Sequence, residues 1–216
     1  WLILIVTAVF LLSCSQGNLI SKKGEIDYST DTLRVEGDED VYLLKKLHKF
    51  KQLEVIEISD CTKVVLKCDS VFSYQLKKIS ITDCKSVKFS KDFFRYAQPE
   101  TLIINRANLE EIPVGIENNK KLRYINVGYN NISSIDVLMP LTDLIRINAE
   151  NNKISSIPDS IAQINNLQSL NLESNNISIL PQKLSLLSKL KKLYLDNNKI
   201  ENMDINFITL DRKSVV

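Results

Sequence analysis

The sequence is poor in the residues that many catalytic and metal sites need. It has one histidine, His48, in 216 residues, so any catalytic triad or multi-histidine metal site would have to include that side chain. With only five glycines and five prolines, the composition is neither collagen-like nor typical of a disordered chain. The 28 basic and 26 acidic side chains leave a net charge of +2, and the basic residues form no single track, which argues against a nucleic-acid partner.

The motifs of common enzyme classes are also missing. The sequence contains no GxSxG, GxGxxG, HExxH, P-loop or EF-hand pattern. Its four cysteines show neither a CxxC pair nor the cysteine–histidine spacing of a zinc site. We therefore expect a binding protein rather than an enzyme, with no cofactor and no metal.

The first residues have the pattern of an export signal. Twelve uncharged residues, WLILIVTAVFLL, precede Ser13 and Cys14, and a polar stretch follows. The segment LLSC resembles the bacterial lipobox, in which cleavage before the cysteine accompanies lipidation of that cysteine. This resemblance implies a signal peptide at 1–13, a lipid on Cys14, a flexible leash at 14–29 and an outer membrane lipoprotein of the cell envelope, on its periplasmic or surface face. The alternatives are an ordinary signal peptide or a membrane span, which needs roughly 20 apolar residues.

The rest of the chain repeats itself about every 23 residues. Successive units begin at Leu53, Leu76, Pro99, Leu122, Leu144, Leu167 and Leu190. Units such as LQSLNLESN and LKKLYLDNN share the pattern LxxLxLxx(N/C)x(L/I), which resembles the leucine-rich repeat family. This resemblance implies an α/β solenoid, a horseshoe with a parallel concave sheet and an irregular, 3₁₀-helical or short-helical convex side. Residues 30–52 would be a degenerate N-terminal repeat or cap, 53–212 seven repeats, and 213–216 the start of a further repeat or cap.

One position after each predicted strand should point inward and satisfy the backbone of the turn. A buried side-chain amide can bond several backbone groups at once. Ala107 interrupts this predicted structural ladder, whose members are Cys61, Cys84, Asn130, Asn152, Asn175 and Asn198. A disulfide between Cys61 and Cys84 is conceivable, but we expect free buried thiols there and a structural role for Cys68.

The segments between strands are less regular. Leu44, Leu47 and Phe50 have helical spacing, which predicts a short helix within 41–52. The segment 64–75 is predicted to be irregular or 3₁₀-helical.

The concave face of the predicted sheet is the natural binding surface of such a solenoid. On it, Glu150, Glu173 and Asp196 would stack as an acidic stripe, which is unfavourable without a partner. Aromatic and arginine side chains, the types that tend to anchor interfaces, lie beside this stripe. The candidate partner-binding residues are Tyr124, Tyr129, Arg146, Asn148, Glu150, Asn171, Glu173, Lys192, Tyr194 and Asp196. In the alternative interpretation this is a generic solvated face, on which Arg146 and Lys192 neutralise the acids.

These observations predict an exported, lipid-anchored, monomeric leucine-rich repeat protein that binds a protein or peptide on its concave face, and no nucleic acid. A first alternative is the recognition module of a larger protein with a downstream effector or catalytic domain. It arises because a new strand is due at Lys213 and the sequence stops at Val216. A second alternative is a carbohydrate-binding surface built on Tyr124, Tyr129 and Tyr194.

Overall fold

The computed structural model describes residues 31–37, 40–43, 50, 52–68 and 76–201. The predicted signal peptide, Cys14 and the leash lie outside these residues, as do residues 213–216. Within the described ranges the strands, in chain order, are β1 (Thr32–Glu36), β2 (Asp40–Leu43), β3 (Val55–Ser59), β4 (Lys63–Leu66), β5 (Lys78–Thr82), β6 (Val87–Phe89), β7 (Thr101–Asn105), β8 (Tyr124–Asn126), β9 (Arg146–Asn148), β10 (Ser169–Asn171) and β11 (Lys192–Tyr194).

One strand from each repeat joins a single large sheet. Eight strands lie in the order β1-β3-β5-β7-β8-β9-β10-β11, and every neighbouring pair is parallel. The pairing steps by one repeat, so that Ser169 lies opposite Arg146 on one side and Lys192 on the other. The predicted solenoid with a parallel sheet is therefore confirmed, and β1 extends it into the segment predicted to be a degenerate first repeat.

The strands bury alternate side chains, as their short apolar pattern predicts. Leu170 is fully buried, whereas Ser169 and Asn171 on either side of it remain partly exposed. Successive side chains of a strand point to opposite faces, so one face of the sheet covers the core. The other face carries the polar residues, and we refer to it as the concave face.

A second parallel sheet on the opposite side of the core corrects one prediction. Strands β2, β4 and β6 pair in that order. Lys63–Leu66 therefore form a strand where 64–75 was predicted to be irregular or 3₁₀-helical, and residues 69–75 lie outside the described residues. Strand β2 ends at Leu43, and the short helix predicted within 41–52 stays a prediction, because residues 44–49 also lie outside the described residues.

Stacking explains why β4 is a strand. Val64 and Leu66 are fully buried, and they alternate with partly exposed residues. Their backbone groups bond to the next repeat: the Val64 amide donates to the Ser86 carbonyl at 2.8 Å, and the Leu66 carbonyl accepts from the Ser90 amide at 2.9 Å. A strand too short to persist alone is thus held by its neighbours in the adjacent repeats.

Short helices replace this second sheet further along the chain. Helix α1 (Phe93–Tyr96) is followed by 3₁₀ helices at Ile116–Asn118, Asp136–Leu138, Asp159–Gln163 and Gln182–Leu186. An aromatic cluster lies where the last strand of the second sheet is followed by helix α1. The ring centroids of Phe89, Phe93 and Phe94 are 4.9–5.1 Å apart. In the part of the chain that the structure describes, no helix is both long and apolar enough to span a membrane.

Candidate functional site

The ladder asparagines join each repeat to the one before it. The Asn175 Nδ2 donates to the Leu172 carbonyl of its own repeat at 3.0 Å and to the Ala149 carbonyl of the preceding repeat at 2.9 Å. Its Oδ1 accepts from the Ile154 amide of the preceding repeat at 2.9 Å. The same three kinds of contact recur at Asn130, Asn152 and Asn198.

This geometry explains how Ala107 is tolerated in the ladder. The Oδ1 of Asn130, one repeat later, accepts from both the Ala107 amide and the Leu109 amide at 3.0 Å. The turn that contains Ala107 is therefore supported from the following repeat. The sequence pattern gives the inward position of each asparagine, but it does not show that the side-chain amide also bonds across the repeat boundary.

The cysteines of the first repeats are buried thiols. Among the described residues, Cys61, Cys68 and Cys84 form no disulfide. The Cys61 Sγ donates to the Ser59 carbonyl at 3.1 Å, and the Cys84 Sγ donates to the Thr82 carbonyl at 3.2 Å. The pKa of Cys84 is lowered, chiefly by its hydrogen bond with Cys61, against the opposing effect of burial. The two thiols are thus in contact on adjacent rungs.

The concave face brings the candidate binding residues onto four adjacent strands, β8 to β11. Their registers form two columns of side chains. The first column contains Tyr124, Arg146, Ser169 and Lys192, and the middle column contains Asn126, Asn148, Asn171 and Tyr194. Beyond the strands, Glu150, Glu173 and Asp196 lie two residues after the middle column, so they continue the face as a third column.

The middle-column asparagines are locked by their own backbone. The Oδ1 atoms of Asn126, Asn148 and Asn171 accept from the amide two residues later at 3.1, 3.0 and 3.0 Å. This is the Asx-turn bond that short amide side chains make readily. Because the oxygen faces its own chain, the side-chain amino groups of Asn148 and Asn171 are left to bond Glu150. The Asx-turn bond was not predicted, although an asparagine shortly before each turn is a sequence signal for it.

Two of these amides hold Glu150 in place. Its Oε1 accepts from Asn148 Nδ2 at 3.3 Å and its Oε2 from Asn171 Nδ2 at 3.1 Å. Gly128 gives Glu150 room, since a Cβ at that position would lie 3.1 Å from the Glu150 Cγ. Within the described chain, no ion pair joins Glu150, Glu173 or Asp196 to a basic side chain.

Two arginines stack on tyrosines at the same face. The Arg146 guanidinium lies 5.6 Å from the centroid of the Tyr124 ring, and that of Arg106 lies 4.4 Å from the Tyr129 ring. Both distances fall within the range of a cation–π contact. The tyrosines remain 37% and 42% exposed, so their rings are available to a partner.

The Arg106–Tyr129 pair occupies an unusual backbone position. In each of seven successive repeats, the residue that directly follows the third column has a left-handed φ, between 49° and 57°. These residues are Asp60, Asp83, Arg106, Tyr129, Asn151, Ser174 and Asn197. Asparagine and aspartate tolerate this conformation better than large side chains do, for which it is a true outlier. The asparagine or aspartate at four of these seven positions is a sequence signal of this conformation that was not used.

The N-terminal end of the concave face is different, because its charges are paired. The Glu57 carboxylate accepts from Arg34 Nε at 2.7 Å and from Lys78 Nζ at 2.9 Å. These two contacts, that of Lys78 first, lower the pKa of Glu57 against the opposing effect of partial burial.

The described residues contain no group of three or more histidine, cysteine, aspartate or glutamate side chains placed to hold a metal ion.

Comparison with known proteins agrees with this geometry. Residues 144–200 match the leucine rich repeat family model. The fold is that of a leucine-rich repeat solenoid, a fold typical of protein-interaction modules. No curated protein matches the chain at a significant level.

Three solved structures illustrate the likeness of fold. Internalin C2 from Listeria monocytogenes aligns with a TM-score of 0.62 and 18% identity, over 76% of this chain and 70% of that one. The functional domain of InlJ from the same organism, which includes a cysteine ladder, aligns with a TM-score of 0.58 and 17% identity, over 76% of this chain and 34% of that one. TLR13, solved as a complex with ssRNA13, aligns with a TM-score of 0.60 and 19% identity, over 70% of this chain and 23% of that one.

Proposed function

We propose that this protein is exported and lipid-anchored at Cys14, and that it binds a protein or peptide through the concave face of strands β8 to β11. Leucine-rich repeat solenoids present an extended concave surface that suits a polypeptide ligand. The proposed location is the bacterial outer membrane.

The observation that carries the binding proposal is the position of Tyr129. Its left-handed backbone, at a φ of 57°, costs a bulky residue on the order of 1–3 kcal/mol. Burial does not offset this cost, because the side chain is 42% exposed. Asn151 and Asn197 occupy the equivalent position in later repeats with a residue type that suits it. The stack with the Arg106 guanidinium, worth about 0.5–1 kcal/mol at an exposed site, offsets only part of the cost, so we infer that contact with a ligand favours tyrosine there.

Tyr124 and Arg146 support the same conclusion. Tyrosine and arginine are enriched among the residues that dominate interface energies. Here each tyrosine is exposed and carries a stacked guanidinium, which holds the aromatic ring in one orientation before a ligand arrives. Such preorganisation reduces the entropic cost of binding.

A peptide-display selection tests the binding proposal. The full chain is immobilised and a library of random 12-residue peptides is selected on it, and recovered peptides are then titrated against Tyr129→Asn. We expect Tyr129→Asn to weaken binding about tenfold or more, as loss of an interface anchor does. The same substitution should leave the melting temperature unchanged or raise it.

Two controls make this result interpretable. Asn197→Tyr places tyrosine at the equivalent position of another repeat and should not restore binding to Tyr129→Asn. Ile179→Ser alters a side chain that is 77% exposed and lies outside the concave sheet, and it should leave binding unchanged. Selected peptides that bind wild type and Tyr129→Asn equally, together with a Tyr124→Ala variant that also binds normally, would contradict a ligand site on this face.

The lipid anchor needs a separate test. The full-length gene with its native start is expressed in a bacterial host, as wild type and as Cys14→Ala, and fed radiolabelled palmitate. We expect label and membrane partitioning in wild type only. Absence of label in both forms would remove the lipobox interpretation without affecting the binding proposal.

A further inference from the structure

The concave face of strands β9 to β11 carries two unpaired columns of opposite charge. The first column provides Arg146 and Lys192, and the third column provides Glu150, Glu173 and Asp196. Along a strand, the first and third columns are four residues apart, about 13 Å, so they run in parallel across the sheet with the middle column between them. No ion pair in the described chain joins the two columns.

One charge in each column is held in place by a neutral contact. The Arg146 guanidinium is drawn over the Tyr124 ring. The Glu150 carboxylate is held by the amides of Asn148 and Asn171, which stand in the column between the charges. Both charges are thereby fixed in position without being neutralised.

The N-terminal part of the same sheet shows the opposite arrangement. There Arg34 and Lys78 both contact Glu57, so an acid is shared between two bases. On strands β9 to β11, by contrast, the acids and bases of the two columns are not paired with one another in the described chain. An exposed face with separated charges gains more from a complementary ligand than one whose charges already neutralise each other.

We propose that the ligand is an extended polypeptide segment in which basic and acidic residues alternate, lying across strands β9 to β11. This inference rests on the proposed function and specifies its ligand. An extended strand points successive side chains to opposite sides. If its backbone lies above the middle column, its basic side chains face Glu150, Glu173 and Asp196, and its acidic side chains face Arg146 and Lys192.

The dimensions of the two partners agree. Three neighbouring strands at about 4.8 Å spacing place the outer carboxylates about 9.6 Å apart. Same-side residues of an extended ligand recur about every 6.6–6.8 Å. Two basic residues of the ligand therefore fit among three carboxylates, and one or two acidic residues fit between Arg146 and Lys192. A segment of five or six residues spans the site.

Synthetic peptides test this inference directly. The first is a fluorescein-labelled, amidated eight-residue peptide of alternating lysine and glutamate. The second has the same composition with four lysines followed by four glutamates. We expect the alternating peptide to bind the full chain at least about fivefold more tightly by fluorescence anisotropy, because only its order matches both columns. Its affinity should fall as salt is raised, since exposed charge pairs are screened.

Variants of each column complete the test. Either the triple variant Glu150→Gln, Glu173→Gln, Asp196→Asn or the double variant Arg146→Gln, Lys192→Gln should weaken binding of the alternating peptide about tenfold, as expected for the loss of two or more exposed ion pairs. Glu57→Gln is the matched control on the same face and should have no effect, because that carboxylate is already paired. Circular dichroism establishes that each variant is folded.

The possible outcomes separate this inference from the proposed function. Equal affinity for both peptides, or no loss in either column variant, overturns the alternating-charge ligand. If display-selected peptides still depend on Tyr129 in that case, the concave face remains a peptide-binding site of another specificity. If the selected peptides also ignore Tyr129 and Tyr124, both proposals fail.

Discussion

The substitution Asn175→Ala removes one amide from the ladder, and the hydrogen bonds of that amide set the expected loss in the free energy of unfolding. In Asn175→Ala the side chain loses its bonds to the carbonyls of Ala149, Leu172 and Glu173, and to the Ile154 amide. Each carbonyl keeps another donor, from Asn152, Asn198 or the backbone. The amide of fully buried Ile154 has no other acceptor among the described residues.

The predicted cost follows from that one orphaned donor. A buried amide without a partner costs about 1–3 kcal/mol, and the weakened carbonyls add a smaller amount. We therefore expect Asn175→Ala to lower the free energy of unfolding by about 2–3 kcal/mol, or the melting temperature by about 4–12 °C for a chain of this size. Urea and thermal unfolding followed by circular dichroism measure both quantities.

The neighbouring residue provides the matched control. The Asn176 side chain is partly exposed and makes no hydrogen bond in the described part of the chain, so Asn176→Ala should change the free energy of unfolding by less than about 0.5 kcal/mol. If both substitutions had the same small effect, the reasoning that the ladder amides support the turns would be refuted.

Three further predictions concern charge, backbone and thiols. Because the pKa of Glu57 is lowered, its stabilising contribution is present at neutral pH and is lost as pH falls through the folded pKa. Urea unfolding should therefore show that Glu57→Gln lowers the free energy of unfolding by less than about 1 kcal/mol at neutral pH, and that this difference from wild type vanishes in acid. Gly115→Ala should lower the free energy of unfolding by about 1–3 kcal/mol, because φ is 87° and a Cβ would lie 2.2 Å from the Lys91 carbonyl oxygen, and equal urea midpoints would contradict this. Cys61 and Cys84 should react with a thiol reagent only after unfolding, since each is 2% exposed. Mass spectrometry would follow the labelling, and fast labelling of either thiol in the native protein would contradict this prediction.

The large sheet and its inward residues could be predicted from the sequence because two periodicities coincide. Alternation within segments such as Ser169–Asn171 assigns the buried face, and the 23-residue repeat then aligns that face from strand to strand. Neither periodicity depends on distant contacts. For the same reason the inward position of Asn175 was predictable from its own repeat.

The second sheet could not be predicted in this way. A run such as Lys63–Leu66 is too short for its periodicity to distinguish strand from irregular structure, and its conformation depends on pairing with β2 and β6 in other repeats. The left-handed backbone at Tyr129 was also hidden in its own repeat, because the identity of a bulky residue argues against that conformation. Tertiary context imposes both features.

The two halves of the sheet obtain support between repeats from different places. After Cys61 and Cys84 the chain continues into β4 and β6, and the second sheet adds backbone bonds between repeats to those of the large sheet. From Asn130 onward a buried amide adds such bonds from within the core. The concave side chains of the later repeats, whose contacts between repeats include the Asn171–Glu150 bond and the Arg146–Tyr124 stack, therefore carry only a small part of this support, and their charges and tyrosines are open to a ligand. The column variants of β9 to β11 should accordingly unfold close to wild type, so that any loss of binding reports on the surface itself.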